Sequence, residues 1–479
     1  MAPCIGRTSG SPARPWPGAG GTVPRRFGWR ADPTAGAWSR RHAITGTPAP
    51  SVEPCGTWPR SPLRAELVAL RRPFRNIALL TTGNVVRLGV GLVASVLTYR
   101  ALAPTNAGRL AIVVGLVSVF SFVAEFGFRD AAVNEIAGAA SPAEAESVAR
   151  SFLMAKLLFG TLAATLLAGL AGWIVNGWYA GAVQPDLVRF AALALLTGGL
   201  LNYVQTLLEA RQTFGALSVI SMLQGLLRAG AIGLLFLTGR LALWPLIGLE
   251  VALPLVVLAF GQRLLPPALR PRPLASLGAQ FGRLWRFSRW IAVAATASTI
   301  FLSLDVVLLG HFRPAAEVGV YGAALALLAK FEVVQNAILT SAFPEACRYR
   351  SREDLRAYVR RSLQVTGLAS IALLLVVPIA GPLLRTLYGA PYAGGALPFA
   401  ILLVGFVVGL NAQPTAFVLY PLQRVRWIAA GDVLQLLFMS AVGLWLIPLL
   451  GALGAALAVL ATRLLGAGLT TAFVTRALR

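Results

Sequence analysis

The motif Pro104-Thr105-Asn106-Ala107-Gly108 returns later in the chain as Pro314-Ala315-Ala316-Glu317-Val318-Gly319, at an offset of 210 residues. Four further pairs follow in the same order at offsets of 209 to 211: Arg150-Ser151 with Arg361-Ser362, Asn202 with Asn411, Leu223-Gln224 with Leu434-Gln435, and Ala231-Ile232-Gly233 with Ala441-Val442-Gly443. Repeated matches at one offset indicate a duplicated unit. A period this long has the size of a domain, so the sequence predicts two related halves.

The composition excludes an ordinary soluble protein. Hydrophobic residues make up 57% of the 479 residues and charged residues 13%, whereas soluble domains average roughly 45–50% and about 25%. The net charge of +24 lies in the tails and between apolar runs, which favours orientation in a membrane over binding of nucleic acid. Three cysteines and two isolated histidines give no disulfide framework or metal spacing, so no cofactor is expected.

The chain divides into four segments. Residues 1–76 hold 12 of the 30 prolines and show no hydrophobic period, so they are predicted to be a disordered basic tail. Two interpretations stay open for this segment: a cytosolic tail that touches anionic lipid, or an over-extended gene start with true initiation near Val68. A six-helix lobe at 77–262, a cytosolic amphipathic connector at 263–289 and a second six-helix lobe at 290–479 follow.

Twelve apolar runs approach the length of about 20 residues that a helix needs to cross roughly 30 Å of hydrocarbon. They are 77–99, 108–128, 151–174, 187–209, 214–237, 242–262, 290–311, 318–343, 362–386, 396–420, 428–448 and 452–474. The predicted fold is an all-α polytopic membrane protein with about 12 transmembrane helices in two pseudo-symmetric lobes. Ser141-Pro142-Ala143-Glu144 is a capping box that predicts a helix start before the third run. Pro378, Pro398 and Pro414 predict kinks in the ninth and tenth runs.

Basic residues predict the orientation. With the N-terminus inside, 30 of the 42 basic residues fall on the interior side and five on the exterior side. Without the tail the ratio is still 18 to five. The chain is therefore predicted to be N-in and C-in, with both halves entering from the same side as a parallel repeat.

The loops disfavour several kinds of enzyme. The longest predicted exterior loop, 175–186, carries one carboxylate, Asp186, whereas membrane glycosyltransferases and polymerases need a face with acids, metal ligands or a base. The phosphate-binding pattern GxxxxGK[ST] is absent from the sequence. The remaining anatomy is that of a secondary transporter or flippase, and no enzymatic activity is expected.

Charges inside the apolar runs mark the candidate binding residues, because a charge at the bilayer centre costs roughly 2.5–3.5 kcal/mol on insertion scales. Asn84 and Arg87 share one face of the first run, Arg228 lies mid-way along the fifth, Asp305 lies deep in the seventh, and Lys330 lies in the eighth. One interpretation is a polar cavity whose arginines bind an anionic head group, with phosphate the best match to guanidinium geometry. The other is that these charges form structural pairs between helices or reach an interface.

Glu125 and Arg129 are four residues apart near the inner end of the second run. This spacing predicts an ordinary pair along one helix.

The order of loose motifs resembles the polysaccharide and O-antigen flippases of the multidrug/oligosaccharidyl-lipid/polysaccharide (MOP) exporter superfamily. In the first half the motifs are Thr82-Gly83-Asn84, the stretch from Tyr99 to Gly108, and Glu125-Phe126-Gly127-Phe128. In the second half they are the stretch from Asp305 to Gly310, the stretch from Val318 to Ala324, Phe343-Pro344, and Leu387-Tyr388-Gly389 with Tyr392.

The resemblance implies a transporter of twelve or fourteen helices with two lobes around a central cavity. Such proteins move undecaprenyl-diphosphate-linked oligosaccharides from the inner to the outer leaflet by alternating access, and cationic cavity residues hold the diphosphate. Arg87 falls where such a residue is expected. The resemblance also implies the bacterial cytoplasmic membrane as the location. Membrane lipid, a lipid-linked oligosaccharide, a polysaccharide polymerase and glycosyltransferases are the expected partners.

Three alternatives stay open. A cation-coupled multidrug or metabolite exporter of the same fold relies on acids such as Glu125 or Asp305. A major-facilitator transporter also has two sets of six spans, but its glycine-acid-arginine loop is missing from 130–150. A non-transporting scaffold that gathers glycosyltransferases is the third.

Overall fold

The computed structural model describes residues 88–139, 141–265, 296–297, 299–349, 351–422 and 424–478. The tail 1–76, Asn84, Arg87 and nearly all of the connector 263–289 lie outside these residues. Within the described residues the long elements are α-helices: α1 (Leu88–Ala101), α2 (Pro104–Glu125), α3 (Phe128–Ala137), α4 (Pro142–Trp173), α5 (Pro185–Ala210), α6 (Phe214–Leu237), α7 (Leu243–Leu264), α8 (Thr299–Phe312), α9 (Ala315–Leu328), α10 (Glu332–Arg348), α11 (Arg352–Leu374), α12 (Ala380–Tyr388), α13 (Ala396–Ala416), α14 (Val425–Leu450) and α15 (Ala452–Leu478).

Nine helical segments of the described chain are long and apolar enough to cross a membrane, and α1, α8 and α9 are shorter apolar helices. Each of the twelve predicted runs overlaps one of these helices. The all-helical membrane fold predicted from the sequence is confirmed. The number of crossings and the N-in/C-in orientation stay predictions.

Two helix starts repeat between the halves. The Ser141 hydroxyl accepts a hydrogen bond from the Glu144 backbone N–H at 3.2 Å at the start of α4, as the capping box predicts. The Ser351 hydroxyl accepts one from the Asp354 N–H at 3.0 Å at the start of α11. These serines are 210 residues apart, so the duplicated unit extends to the caps of its helices.

The ninth run is interrupted as predicted. α11 ends at Leu374, a short 3-10 turn covers Val377–Ile379, and α12 begins at Ala380. Pro378 lies in this turn, where its missing N–H removes no helical hydrogen bond. Pro398 lies instead in the first turn of α13, and Pro414 lies in its last.

The eighth run has a break that no proline explains. α9 ends at Leu328, α10 begins at Glu332, and Ala329–Phe331 form a turn between them. The corresponding helix of the first half, α2, is continuous from Pro104 to Glu125. The two halves therefore differ in the middle of an otherwise duplicated element.

The duplicated motif is where the halves meet. α2 packs directly on α9. A Cβ atom at Gly108 would overlap the backbone carbonyl of Ala315, and a Cβ atom at Gly319 would overlap the carbonyl of Pro104. Only glycine permits this reciprocal backbone approach. We call this contact of residues 104–108 with 315–319 the glycine seam.

The hydrophobic core is shared at one end of the bundle and divided at the other. One cluster joins both halves around the glycine seam and includes Leu116 and Leu187 of the first half with Tyr321 and Leu384 of the second. Two further clusters each belong to one half, one within 128–265 and one within 342–478. The halves are thus packed together at the predicted exterior end and have separate cores at the predicted cytosolic end.

Candidate functional site

Lys330 lies in the break between α9 and α10. Its half-buried side chain extends across the interface between the halves. Nζ lies 3.6 Å from the point that a Cβ atom would occupy if Gly91 of α1 carried a side chain. The ammonium is close enough to Arg228 of the first half and Glu332 of the second for their charges to act on it. The structure therefore brings two of the predicted binding residues, Arg228 and Lys330, into one electrostatic neighbourhood.

Arg228 is oriented by an ion pair. Its guanidinium donates to Glu250, which joins α6 to α7, and the arginine side chain remains 50% exposed. A guanidinium has several N–H donors in one plane. The pair with Glu250 therefore fixes the direction of the side chain and leaves donors for a second anion.

A stripe of polar side chains runs along α10, on the C-terminal side of Lys330. Glu332, Asn336 and Thr340 are exposed at intervals of four residues and thus lie on one helix face. Gln335, beside them, donates a hydrogen bond to Gln413 of α13, which anchors the helix. Polar groups in a membrane segment are tolerated where they line a water-filled cavity, so this stripe indicates a hydrated wall.

Asp305 lies in a different cluster. It is 4% exposed, and its carboxylate accepts hydrogen bonds from the Tyr321 hydroxyl at 2.7 Å and the Val306 N–H at 2.8 Å. The Arg463 guanidinium stacks 5.0 Å from the centre of the Phe301 ring, and the charges of Asp305 and Glu332 both act on it. Arg463 is therefore within range of two charges, that of the buried Asp305 carboxylate and that of Glu332 in the polar stripe.

The halves differ where Arg228 and Glu250 pair. The positions 211 residues later are Met439 and Ala461. There, the neighbouring Thr462 hydroxyl lies 3.7 Å from the Met439 sulfur, and both residues are buried. The ion pair is thus a feature of the first half, and an uncharged contact occupies the corresponding place in the second.

The predicted Glu125–Arg129 pair is wrong. Glu125 accepts a hydrogen bond from Lys156 of α4 at 2.5 Å, and Arg129 donates to Glu209 of α5 at 2.6 Å. α2 ends at Glu125, and Phe126 and Gly127 have positive φ values of 35° and 66°. Arg129 therefore lies on the next helix, so helical spacing does not apply.

Sequence reasoning identified Arg228 and Lys330 from their charge but missed their surroundings. Glu250 lies in the sixth run, next to the fifth run that carries Arg228, so the sequence offers it as a partner for Arg228 without showing that the two side chains meet. The stripe on α10 has a readable signal, because polar residues recur every four positions. No group of His, Cys, Asp or Glu side chains suited to a metal ion occurs in the part of the chain that the structure describes.

Known proteins share this architecture. The chain superposes on the lipid II flippase MurJ in an inward closed conformation with a TM-score of 0.66 at 14% identity, covering 83% of this chain and 87% of that one. It superposes on an inward-facing multidrug resistance MATE family transporter of the MOP superfamily with a TM-score of 0.60 at 13% identity, covering 82% and 98%. At this identity the likeness establishes the fold.

Sequence comparison agrees with the fold. The chain is 28% identical to the probable flippase AglR of Haloferax volcanii over 169 residues, which are 34% of this chain and 36% of that protein. The match therefore spans about a third of this curated relative. The resemblance to the MOP superfamily stated from the sequence motifs is confirmed. A family described as polysaccharide biosynthesis proteins matches residues 96–396, and this chain belongs to that family.

Proposed function

We propose that the chain is a flippase that moves a polyprenyl-diphosphate-linked oligosaccharide across the bacterial cytoplasmic membrane by alternating access. The observation that carries the proposal is the position of Lys330, whose Nζ reaches across the interface to within 3.6 Å of a Cβ position on Gly91, where the charge of Arg228 also acts on it. MurJ and AglR are both named as flippases, and the similarity of this chain to them supports the proposed flippase activity. A polysaccharide polymerase and glycosyltransferases are its proposed partners.

The chemistry of the site suits a diphosphate attached to a sugar. A guanidinium and an ammonium form charge-assisted hydrogen bonds with phosphate oxygens. The amide and hydroxyl of Asn336 and Thr340 suit the hydroxyl groups of a sugar. Arg87, four residues before Gly91 in the sequence, is proposed as a third cation, and Asn84 as a neighbouring polar ligand.

The separate cores support access from the cytosolic end. A substrate enters where the halves have their own cores and is held near Lys330. The shared core around the glycine seam then separates as the divided end closes. A bistable interface of this kind is the structural requirement of alternating access.

The test is lipid movement in vesicles that contain only the purified protein. A fluorescent polyprenyl-diphosphate oligosaccharide is incorporated, and its transfer between leaflets is followed by quenching from outside. Arg228→Ala and Lys330→Ala are each expected to lower the rate at least about tenfold, because each removes a charged hydrogen bond worth roughly 1.5–3 kcal/mol. Arg189→Ala is the matched control, since this exposed arginine pairs locally with Asp186.

Three outcomes contradict the proposal. Unchanged lipid transfer in both Arg228→Ala and Lys330→Ala excludes binding of the diphosphate by these two cations. Export of a drug that depends on Glu125 or Asp305, without lipid transfer, favours the cation-coupled exporter. No transfer in vesicles, with glycosyltransferases recruited in cells, favours the scaffold.

A further inference from the structure

Arg100 joins the two halves at the predicted exterior end. It lies in the last turn of α1, and its Nε and Nη2 donate to the backbone carbonyls of Leu387 and Thr386 at 2.9 and 2.6 Å. These carbonyls belong to the last turn of α12, where the acceptors of a helix lack internal partners. A cation is also favoured at this end of a helix by the macrodipole.

His311 makes the corresponding contact from the other half. It lies at the end of α8, its Nδ1 is 2.6 Å from the carbonyl oxygen of Trp178, and its ring stacks on the Trp178 ring with centres 4.1 Å apart. Trp178 ends the π-helical extension of α4. The contact again has a donor from one half and a helix-terminal carbonyl from the other.

The two contacts are related by the duplication. Arg100 and His311 are 211 residues apart, and Trp178 and Leu387 are 209 apart. The offsets match those of the duplicated motif, although the residue is an arginine in the first half and a histidine in the second. We call the Arg100 and His311 contacts the paired clasps.

The paired clasps accompany the glycine seam. The Tyr392 hydroxyl donates to the Leu102 carbonyl at 2.7 Å, and the Tyr99 ring packs against those of Tyr388 and Tyr392. These contacts also cross between the halves. They reinforce the Arg100 side, whereas the Trp178 stack reinforces the His311 side.

We propose that the paired clasps form a two-point lock that holds the exterior end closed and sets the equilibrium between the two access states. Opening this end requires both donors to leave their helix-terminal carbonyls before the glycine seam separates. The two donors are unequal: Arg100 makes two hydrogen bonds and His311 makes one. The lock concerns conformation and applies whichever molecule is transported.

The experiment measures the separation of the halves directly. Spin labels are placed at Arg240→Cys and Leu450→Cys, exposed positions at corresponding exterior ends, in a chain whose three native cysteines are replaced by serine. Distances are measured by double electron–electron resonance in lipid nanodiscs. His311→Ala is expected to raise the ratio of the longer to the shorter distance about fivefold, because one net hydrogen bond contributes roughly a factor of five. Arg100→Ala removes two hydrogen bonds and is expected to raise the ratio about 25-fold. The double variant is expected to raise it further.

Two exterior arginines provide matched controls. Arg109 donates to the Ala182 carbonyl at 3.0 Å within the first half, and Arg313 donates to the Pro448 carbonyl at 2.9 Å within the second. Arg109→Ala and Arg313→Ala are expected to leave the distance ratio unchanged. Arg100→Lys keeps a single cationic donor and is expected to fall between the wild type and Arg100→Ala. It replaces Arg100→Ala in the comparison if that variant does not fold.

Two results overturn the lock. One is an unchanged distance ratio in Arg100→Lys, His311→Ala and their double variant. The other is an equal shift in the Arg109→Ala and Arg313→Ala controls, which identifies a general loss of packing. Failure of lipid transfer in the vesicle assay leaves these distances unaffected, so the proposed substrate and the lock are tested separately.

Discussion

Lys156 is a buried lysine whose charge depends on one partner. Its side chain is 1% exposed and its ammonium lies 2.5 Å from a Glu125 oxygen, whereas the Glu125 side chain is 37% exposed. The ammonium also lies 5.5 Å from the centre of the Phe152 ring, which contributes a weak cation–π contact. The pair is therefore unequal, because water can reach the carboxylate but hardly reaches the ammonium.

This inequality predicts an order of stabilities. Glu125→Gln leaves an uncompensated charge in the interior and is expected to lower the free energy of unfolding by about 3 kcal/mol. Lys156→Met leaves a carboxylate that water can hydrate, and a loss of about 1 kcal/mol is expected. The double variant is expected to recover most of the loss from Glu125→Gln. Thermal unfolding in detergent measures all three.

The exposed pair of Arg189 and Asp186 is the control. Arg189→Ala is expected to change stability by less than about 1 kcal/mol, because exposed ion pairs contribute little. A larger loss in Lys156→Met than in Glu125→Gln contradicts the burial argument.

At the scale of elements, the glycine seam makes a sharp prediction about two substitutions. Gly108→Ala places a methyl group into the Ala315 carbonyl and is expected to destabilise the protein by about 1–3 kcal/mol. Gly230 lies within α6, where an added Cβ atom would meet nothing within 4 Å. Gly230→Ala is therefore expected to be neutral or stabilising. Melting temperatures in one detergent compare the two. Equal melting temperatures contradict the close approach of α2 and α9.

The same scale shows what a sequence can predict. The start of α4 at Ser141 and the break at Pro378 were predictable, because hydroxyl capping and a missing N–H act within a few residues. The break at Ala329–Phe331 was not, because these residues carry no breaking signal and the turn depends on packing between helices. The partners of Glu125 and Arg228 were likewise unpredicted, since each lies on another helix. Charge identified candidate binding residues, and the fold decided which of them meet.

At the scale of the whole molecule, the arginine distribution predicts which end faces outward. In intact cells a membrane-impermeant maleimide is expected to label Arg240→Cys but not Arg211→Cys, in the background without native cysteines. Both positions are exposed, and they lie at opposite ends of α6. Permeabilised cells provide the control, because both cysteines are then expected to react. The reverse labelling pattern in intact cells contradicts the N-in/C-in orientation.

The divided cores have a consequence for biosynthesis. The cluster within 128–265 is complete once the first half has left the ribosome, whereas the shared cluster requires side chains as distant as Ala455. Domains generally fold as units during synthesis, with the N-terminal unit first. The first half can therefore fold early at its cytosolic end. Its face around Gly108 stays exposed to lipid until the second half has been synthesised. A nascent chain halted after α7 is consequently expected to expose the surface on which the finished transporter closes.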